Sequence, residues 1–575
     1  ADALGIAAGA AGIGSSIATA TMSPNIHALT GGETITSGGS ILVQAQHNHN
    51  GTAPTGQNTV ANAVASSGGA LLGGAGASAT ADATANTTAR VGGGSMLTAT
   101  GTVQVLADGA NLSLADSRGL GVGGLIGFGS SSATANANGS TSADLRGGVG
   151  ASDSVTVIGE GKNVADAQAN ASGAAGLAGV SGGSVTARAN GDVSAGLGDS
   201  GIASNVNTTG AVLVDAISSA DADADARALS FGLAGAVGIM SATSEVSPDV
   251  TAQVRGTTGV SGLGITVRAR HNQAGEDSTA QGDAGTGGLG LALSGASANA
   301  TAAADTKAIT GNATSFDANG AAVLVSADAN NLVTSQGTAF AVGGLAAGAV
   351  TATGRSGGIT EATSGADVTD ASNLQVLSDA TQTAVVTAVG AAGGLFAAGN
   401  GALATTLVDP DVRAGIGDGA QIVTANFVTV QANATTDADG TATGVAVSGG
   451  VALGLSKADV TLSPAMSLDM GSGASVTTQS ASGDITLALR HNNGASNQGG
   501  ASADAFAGAG GGLVGGGGAE ANARVDYDMH HDSGSNVTLN AGRSVLISTL
   551  VGSHADADAD AGGFGGIAGI GGAVA

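Results

Sequence analysis

The chain has 575 residues, with no Cys, no Trp, one Tyr and 103 Gly, and its 43 acidic and 16 basic side chains give a net charge of −27. This composition excludes disulfides, and the lack of clustered Lys and Arg argues against nucleic-acid binding, because phosphates need basic partners. Aromatic residues make up only 2% of the chain, which excludes a core of large side chains. The positive mean hydropathy argues against disorder.

Short β-branched runs recur along the chain about every 56 residues. Each run is followed by an Ala-alternating stretch, then a Gly-rich apolar one such as "GLGVGGLIGFG", then a second alternating stretch. We therefore predict ten tandem modules forming one continuous array over residues 1–575. Both ends fall at the same phase of the repeat, so we expect the chain to be an excerpt of a longer one. The runs are centred on Val43, Val105, Val157, Val214, Val267, Val325, Val376, Val430, Leu487 and Ile547.

A longer period lies above the module. Similar Pro-containing segments occur at Pro24, Pro248 and Pro464. In the same three modules the β-branched run is followed by "QHNHN", "RHNQA" and "RHNNG". These matches predict a duplicated unit of four modules, about 220 residues long.

Residues 218–242 decide the secondary structure. Asp221, Asp223 and Asp225 alternate with Ala, which would scatter carboxylates around a helix but places them on one face of a strand. The apolar half that follows is uncharged but shorter than the ~20 residues of a membrane span. Strand-bearing modules that cannot bury an apolar face alone stack on one another. The predicted fold is therefore all-β, a parallel β-solenoid (β-helix), with the β-branched runs stacked in register.

Spacings inside one module suggest more than one coil. Val193, Val214, Leu233 and Val250 follow one another at intervals of about 20 residues. Two or three coils per module would give an array on the order of 100–140 Å long.

The Gly-rich segments, such as residues 232–239 and 509–518, have small side chains on both faces of the predicted strand. A strand covered on one side only alternates apolar with polar residues, so both faces should be covered. Two arrangements remain open. Neighbouring rods could pack side by side along these faces, or the segments could form a double layer within one chain.

Rows of carboxylates are the candidate metal site. Three Asp-Ala stretches begin seven to nine residues after the anchor of a β-branched run, and such rows could hold Ca²⁺, which takes six to eight oxygens. The alternative is a solvated acidic face that prevents aggregation. The calcium-binding nonapeptide G-G-x-G-x-D-x-U-x is absent, so we expect folding without calcium. The candidate calcium ligands are Asp221, Asp223, Asp225, Asp556, Asp558 and Asp560, and Asp437 and Asp439 occupy a similar position.

The histidines predict no metal site. His-x-His or His-His alone lacks the third and fourth ligands of zinc, and the modules with His47, His271 and His491 are four apart. We interpret these residues, with His49, His530 and His531, as polar side chains lining turns. No P-loop and no Ser-His-Asp arrangement is recognisable, so we assign no catalytic and no cofactor-binding residue.

The segments "GSNVTLNAGRSVLIS", "SGGSILVQAQ" and "IGDGAQIVTANFVTVQA" resemble the coils of filamentous-haemagglutinin-type adhesins. The alternation of Ala-rich stretches with Gly-rich cores resembles the repeat regions of giant leukotoxin-type filamentous adhesins of bacteria. This resemblance implies a secreted or surface-attached β-solenoid stalk that mediates adhesion or builds an extracellular layer.

We therefore expect a non-enzymatic, structural or adhesive protein: a stiff extracellular rod or fibre on a bacterial surface. Its expected partners are other copies of itself and the surface of a host or neighbouring cell, without membrane insertion. A solenoid that binds ice, polysaccharide or calcium is the alternative, although ice would need a flat Thr-x-Thr face and "TVQVLAD" and "NVTLNAG" are irregular. A β-helix enzyme acting on polysaccharide is disfavoured by the single Tyr and the even scatter of charge.

Overall fold

The computed structural model describes residues 1–49, 56, 58–493 and 499–575. All regular structure in this part of the chain is β-strand, and the pairings between strands of successive coils are parallel. The predicted all-β parallel solenoid is therefore confirmed. Small and β-branched residues that alternate inward and outward explain this choice, because period-two patterns bury one face of an extended chain.

The strands follow one another in a repeating order of one long, one intermediate and two short strands, with some of these merged in the middle of the chain. The first half contains β1 (Asp2–Met22), β2 (Asn25–Thr30), β3 (Thr34–Ser37), β4 (Ile41–His47), β5 (Thr59–Ala83), β6 (Asn86–Val91), β7 (Met96–Ala99), β8 (Val103–Gly123), β9 (Ile126–Ala137), β10 (Thr141–Leu145), β11 (Gly148–Ala151), β12 (Val155–Ala175), β13 (Ala178–Arg188), β14 (Val193–Leu197), β15 (Ser204–Asn207), β16 (Val212–Gly232), β17 (Gly235–Val246), β18 (Asp249–Val254), β19 (Thr258–Ser261) and β20 (Ile265–His271). The second half contains β21 (Ser278–Gly287), β22 (Leu291–Ala302), β23 (Asp305–Thr310), β24 (Ser315–Asp317), β25 (Ala322–Ser364), β26 (Asp367–Ile416), β27 (Gln421–Ser448), β28 (Val451–Leu462), β29 (Ala465–Met470), β30 (Ser475–Thr478), β31 (Asp484–His491), β32 (Ala501–Gly511), β33 (Val514–Val525), β34 (Asp528–Ser533), β35 (Thr538–Asn540), β36 (Ser544–Val551), β37 (Ala555–Gly565) and β38 (Ala568–Val574).

Strands β8 to β11 illustrate one coil. The start of β8 belongs to the body of the solenoid, and its remainder extends away from the body as the first arm. The chain turns at a tip, returns along β9 as the second arm, and closes the body with β10 and β11. These four strands pair with β12, β13, β14 and β15 of the next coil.

The ten anchors of the β-branched runs lie in a single ladder. Each anchor is the direct neighbour of the next one, which confirms the predicted stacking in register. The ladder runs through Val43, Val105, Val157, Val214, Val267, Val325, Val376, Val430, Leu487 and Ile547.

Each module forms one coil, so the prediction of two or three coils per module is wrong. Val193 lies in β14, Val214 in β16 and Val250 in β18, while Leu233 lies at the tip turn. Val193, Val214 and Leu233 mark successive parts of one coil, whereas Val250 is the direct neighbour of Val193 in the next coil. Nine steps of ~4.8 Å between the ten anchors give the ladder a length of only about 43 Å.

The core changes in residue size from the body to the tip. The body is filled by Val, Leu, Ile and Met with one Phe, interspersed with Ala, and its largest fully buried side chains include Leu97, Leu145 and Phe316. Between the arms the core consists mainly of Ala, and near the tip a small cluster contains Ala alone. The distance between two packed layers follows the size of the side chains between them, so the two arms converge toward the tip.

Glycines on the inner faces allow the arms to touch. A Cβ built on Gly282 in the first arm would lie 2.6 Å from the carbonyl oxygen of Ser297 in the second arm. Gly173 faces the carbonyl oxygen of Val180 in the same way, and Gly511 faces that of Val514. The Gly-rich segments therefore form a double layer within one chain. The inner faces of residues 232–239 and 509–518 are covered by the opposite arm, so these faces are not where neighbouring rods pack.

The prolines and histidines that recur with the four-module period occupy equivalent positions in their coils. Pro24, Pro248 and Pro464 each lie in the two-residue corner between a second arm and the following short strand. Proline has no N–H for a sheet ladder and is tolerated at such a break. His47, His271 and His491 lie in one column of the stack, separated each time by three coils with other residues.

Candidate functional site

The Asp-Ala stretch lies in β16, where the first arm leaves the body. Ala222, Ala224 and Ala226 are buried on the inner face, and Asp221, Asp223 and Asp225 point outward. The predicted alternation of a buried alanine face with an outer carboxylate face is confirmed.

The structure groups two of these carboxylates with one from the next coil. Asp221, Asp223 and Asp277 place carboxylate oxygens within 4.8 Å of one another, and we call them the acidic cluster. Asp277 precedes β21, directly after a loop that follows the β-branched strand. The third residue of the stretch, Asp225, instead forms an ion pair with Arg227 at 2.9 Å.

Burial and mutual repulsion make the acidic cluster hold protons more tightly than isolated carboxylates. Desolvation, with repulsion from Asp221, Asp277 and Asp166, raises the pKa of Asp223 to about 7. Desolvation also raises the pKa of Asp221 and of Asp277. The Thr279 hydroxyl donates to Asp277 Oδ2 at 3.1 Å and opposes this increase. Near pH 7 a bound proton or a bound cation therefore stabilises the acidic cluster.

The acidic cluster meets part of what calcium requires. Three carboxylates supply hard oxygen ligands, but Ca²⁺ takes six to eight oxygens, so most of the remaining ligands would be water. Among the described residues this is the one group of three His, Cys, Asp or Glu side chains close enough to share an ion. Calcium binding remains a prediction; of its predicted ligands the structure brings Asp221 and Asp223 together with Asp277, whereas Asp225 is paired with Arg227.

The other acidic stretches occupy the same columns in distant coils. The column of Asp223 continues through Thr279, Thr334, Val385, Asp439 and Ser502 to Asp556. Asp558 lies beside Asp504, and Asp560 lies beside Phe506. Desolvation, with repulsion from Asp437 and Asp504, raises the pKa of Asp439. The carboxylates thus form separate groups, and those of β16 and β37 cannot share an ion.

Two histidines are buried in the body, which corrects their interpretation as side chains lining turns. His271 is fully buried, neither ring nitrogen has a hydrogen-bond partner, and desolvation lowers its pKa to about 3. His491 is also buried, with Thr436 Oγ1 at 2.8 Å and Ser553 Oγ at 3.0 Å, and desolvation lowers its pKa to about 4. Both end a strand whose last side chain points inward.

The remaining histidines lie at the surface or the margin of the body. His47 is partly buried, and desolvation lowers its pKa. His49 Nδ1 is 3.3 Å from Gln46 Nε2. His530 pairs with Asp528 and Asp532, and His531 contacts the Thr549 hydroxyl at 3.0 Å. None of these belongs to a potential metal cluster within the described ranges.

Turns next to the buried histidines rest on asparagine. Asn272 and Asn492 adopt a left-handed backbone conformation, with φ of 48° and 46°. The Asn272 side chain accepts from Ala220 N at 2.7 Å and donates to Ala220 O at 2.8 Å, as a neighbouring strand would. This amide allows a loop to leave the coil without orphaning buried backbone groups, and the loop then brings Asp277 to the acidic cluster.

Some of the basic side chains neutralise two buried carboxylates. Asp215 is almost fully buried and is paired with Arg268 and Arg270, each at 2.7 Å. Arg146 and Arg255 hold Asp144 at 3.0 and 2.9 Å. A carboxylate removed from water needs a paired cation. The stability of the fold is therefore sufficient to explain why these arginines are present.

The tips of the arms form an exposed apolar surface that the sequence interpretation missed. At the tip turns a ladder of leucines is 47–68% exposed. Large apolar residues also occupy the outward positions next to the tips, 37–60% exposed. The tip ladder comprises Leu71, Leu125, Leu177, Leu233, Leu289, Leu395 and Leu513, and the flanking residues include Leu120, Val122, Phe128, Leu229, Phe231, Ile239, Leu293, Phe340, Val342, Val447, Leu453, Leu455 and Phe506. We call this surface the apolar edge.

Hydroxyl side chains form two columns beside the apolar edge, on the outer face of the second arm. One column contains Ser78, Ser132, Ser184, Ser241 and Ser297, followed by Thr351. The other, two residues further along each strand, contains Thr80, Thr134, Thr186, Thr243, Asn299, Thr353 and Thr405. All are at least partly exposed, and four successive coils present Ser-x-Thr here, followed by one with Ser-x-Asn and one with Thr-x-Thr. We call this surface the Ser-x-Thr face; a regular Thr-x-Thr face was not expected.

Comparison with models of known protein families, with curated proteins and with solved structures finds no match to the chain. No helix in the described residues is both long and apolar enough to cross a bilayer. The fold and the surface chemistry are therefore the basis for assigning a function.

Proposed function

We propose that the protein is a structural or adhesive rod of a bacterial surface or extracellular layer, built as part of a filamentous-adhesin-type stalk. The observation that carries this proposal is the uninterrupted ladder from Val43 to Ile547. Parallel coils stacked without a break resist bending, because each strand is hydrogen-bonded to the coils on both sides. A rod of this kind extends simply by adding coils.

The surface supports the same proposal. A net charge of −27 keeps an extracellular rod soluble, and the proposed rods associate laterally to build the layer. The proposal includes no catalytic step and no cofactor, since the ion pairs of Asp144 and Asp215 are explained by burial.

Adhesion and stiffness are tested on the isolated chain. Beads coated with the purified chain should be retained on layers of bacterial or epithelial cells in larger numbers than beads coated with heat-unfolded chain. Atomic force microscopy should show the folded chain as a particle of constant width along its stack of coils, about 43 Å long. Equal bead retention together with a shape that varies from molecule to molecule would contradict the proposal.

A ligand-binding solenoid is the second candidate, and the Ser-x-Thr face is the observation that favours it. Hydroxyls repeat at about 4.8 Å between coils and about 6.6 Å along a strand, which suits an ordered ligand such as ice or a crystalline polysaccharide. Thr186→Lys with Thr243→Lys should abolish inhibition of ice recrystallisation or retention on polysaccharide. Thr334→Lys, on the first arm, is the control. Wild type without either activity would remove this candidate.

A further inference from the structure

The apolar edge is an exposed surface to which the proposed function assigns no contact. Six of the eight phenylalanines lie there, and each is 47–77% exposed: Phe128, Phe231, Phe340, Phe396, Phe506 and Phe564. Most of the few aromatic side chains of this chain are thus exposed to water on one surface. Exposed contiguous apolar surface of this kind marks interaction sites.

Charged residues are absent from the apolar edge. No Asp, Glu, Lys or Arg lies between residues 228 and 244, between 284 and 304, or between 505 and 519. These segments contain the outer ends of both arms and the tip turn between them. The apolar edge is therefore a continuous uncharged strip in a strongly acidic protein.

Large side chains on the apolar edge lie flat over glycines of the next coil. A Cβ on Gly287 would be 3.0 Å from the Phe231 ring, and one on Gly518 would be 3.2 Å from Leu455. Gly516 lies under Leu453 in the same manner. Each bulky side chain thus fills a neighbouring hollow, which makes the face smooth enough for another sheet to pack on it.

The size of the apolar edge fits a protein partner. Eight steps of ~4.8 Å from Leu71 to Leu513, with about four residues of ~3.3 Å on each arm, give roughly 38 Å by 13 Å, or about 500 Å² per face. Stable interfaces bury about 800 Å² of accessible surface per partner, and one face together with the tip ladder approaches that area.

We propose that a second copy of this chain covers the apolar edge, so that copies pack side by side with their arms in face-to-face contact. This inference rests on the proposed function as a self-associating rod and names its contact surface. Both copies repeat every coil at the same ~4.8 Å, so apolar ladders match along their whole length. Contact here keeps carboxylates apart, because the strip itself is uncharged.

A lipid surface fits the apolar edge less well. Membrane interfaces favour Trp and Tyr at the headgroup level and basic residues near anionic lipids, whereas this chain has no Trp and one Tyr. The residues that border the apolar edge include the acidic Asp504 and Asp560. Because the outer ends of both arms are apolar, a copy can contact one neighbour on each side, and association continues beyond a dimer.

Sedimentation velocity of the full chain over a range of concentrations tests this proposal. The edge variant carries Phe231→Gln, Leu233→Gln and Phe396→Gln, whose side chains are 51–70% exposed. The control variant carries Leu263→Gln, Val385→Gln and Phe427→Gln, which are 36–55% exposed and lie off the apolar edge. Circular dichroism and hydrogen exchange verify that both variants are folded.

We expect wild type and control to associate with similar affinity, and the edge variant to associate at least about 30-fold more weakly, since central aromatic contacts dominate interfaces. Higher salt should strengthen association by screening the charge of −27. Association that is unchanged in the edge variant would overturn this inference and leave a self-associating rod intact. A monomeric wild type that binds phosphatidylcholine vesicles through the apolar edge would also overturn it. If wild type neither associates nor retains coated beads on cells, the proposed function itself fails.

Discussion

Because glycine packs against backbone between the arms, alanine substitution should change the free energy of unfolding very differently at two glycines of one coil. Gly282 in β21 faces the second arm, and an added Cβ would lie 2.6 Å from Ser297 O. Gly295 in β22 faces outward, where the nearest atom to an added Cβ is the Ile239 side chain at 3.8 Å. Gly282→Ala and Gly295→Ala therefore add the same methyl group to opposite faces of the double layer.

The magnitude follows from the contact distances. A Cβ at Gly282 must move about 0.8 Å to reach an ordinary contact of about 3.4 Å, and a gap of that size forfeits a quarter to a half of the dispersion energy of the contacts around it. Overpacking of this kind costs about 1–3 kcal/mol. Loss of unfolded-state entropy on replacing glycine returns about 0.4–1 kcal/mol. The net expectation is a loss of about 0.5–2 kcal/mol for Gly282→Ala and a gain of up to about 1 kcal/mol for Gly295→Ala.

Guanidinium unfolding followed by circular dichroism gives the change in stability, and hydrogen exchange locates it. Stacked coils can open separately, so amides of β21 and β22 should exchange faster in Gly282→Ala than in wild type. Equal stabilities of the two variants, or a more destabilising Gly295→Ala, would refute the idea that glycine sets the distance between the arms.

Four further predictions concern the charge of Asp223, calcium, the buried histidines and the body core. The pKa of Asp223 is raised to about 7 in the fold from an unfolded value near 3.8, so its ionisation costs stability as pH rises through this window. Asp223→Asn should then be more stable than wild type at pH 8 by about 1 kcal/mol after solvent screening, and the gain should vanish below pH 4 in pH-dependent unfolding curves. Removing calcium with a chelator should leave the far-UV circular dichroism of wild type unchanged, and collapse of the β signal would disprove calcium-independent folding. The pKa values of His271 and His491 are lowered to about 3 and about 4, so the stability due to their neutral rings should be fully present above pH 6.5 and should fall by about 2 kcal/mol per histidine at pH 5. His271→Leu should reduce this slope of unfolding free energy against pH. An unchanged slope would contradict burial of a neutral ring. Phe316→Ala should cost about 3–5 kcal/mol, because Phe316 is fully buried in the body, whereas a cost below 1 kcal/mol by denaturant unfolding would contradict its place in the core.

The strand assignments were predictable because side-chain alternation is a local property. Asp221 and Ala222 point to opposite faces in any extended chain, whatever the chain packs against. The ladder from Val43 to Ile547 was predictable for a related reason, since equal spacing of like residues is satisfied when each coil repeats the one below it.

The number of coils per module was not predictable in this way. An inward apolar strand recurs on every side of a coil, so Val193 and Val214 give the same spacing signal whether they belong to two coils or to two sides of one. Their assignment depends on how far the arms extend before turning. That distance is set by the packing of the arms against each other.

The acidic cluster and the apolar edge also depended on the tertiary structure. Asp277 is more than 50 residues from Asp223 in sequence, and the two meet only because a loop anchored by Asn272 starts the next coil at that point. Leucines at the tips were visible in segments such as "FGLAG", but nothing local indicates that the inner faces are closed by the opposite arm and that the large side chains face outward.

The sequence by itself determined that the chain is a parallel β-solenoid with its β-branched runs in register, because both features follow from periods of two and of about 56 residues. Only the tertiary structure decided which faces are buried in the Gly-rich segments and which carboxylates meet. Both depend on contacts between residues on facing arms or successive coils, and the energy of such contacts is fixed by the separation of two layers, which no single strand encodes.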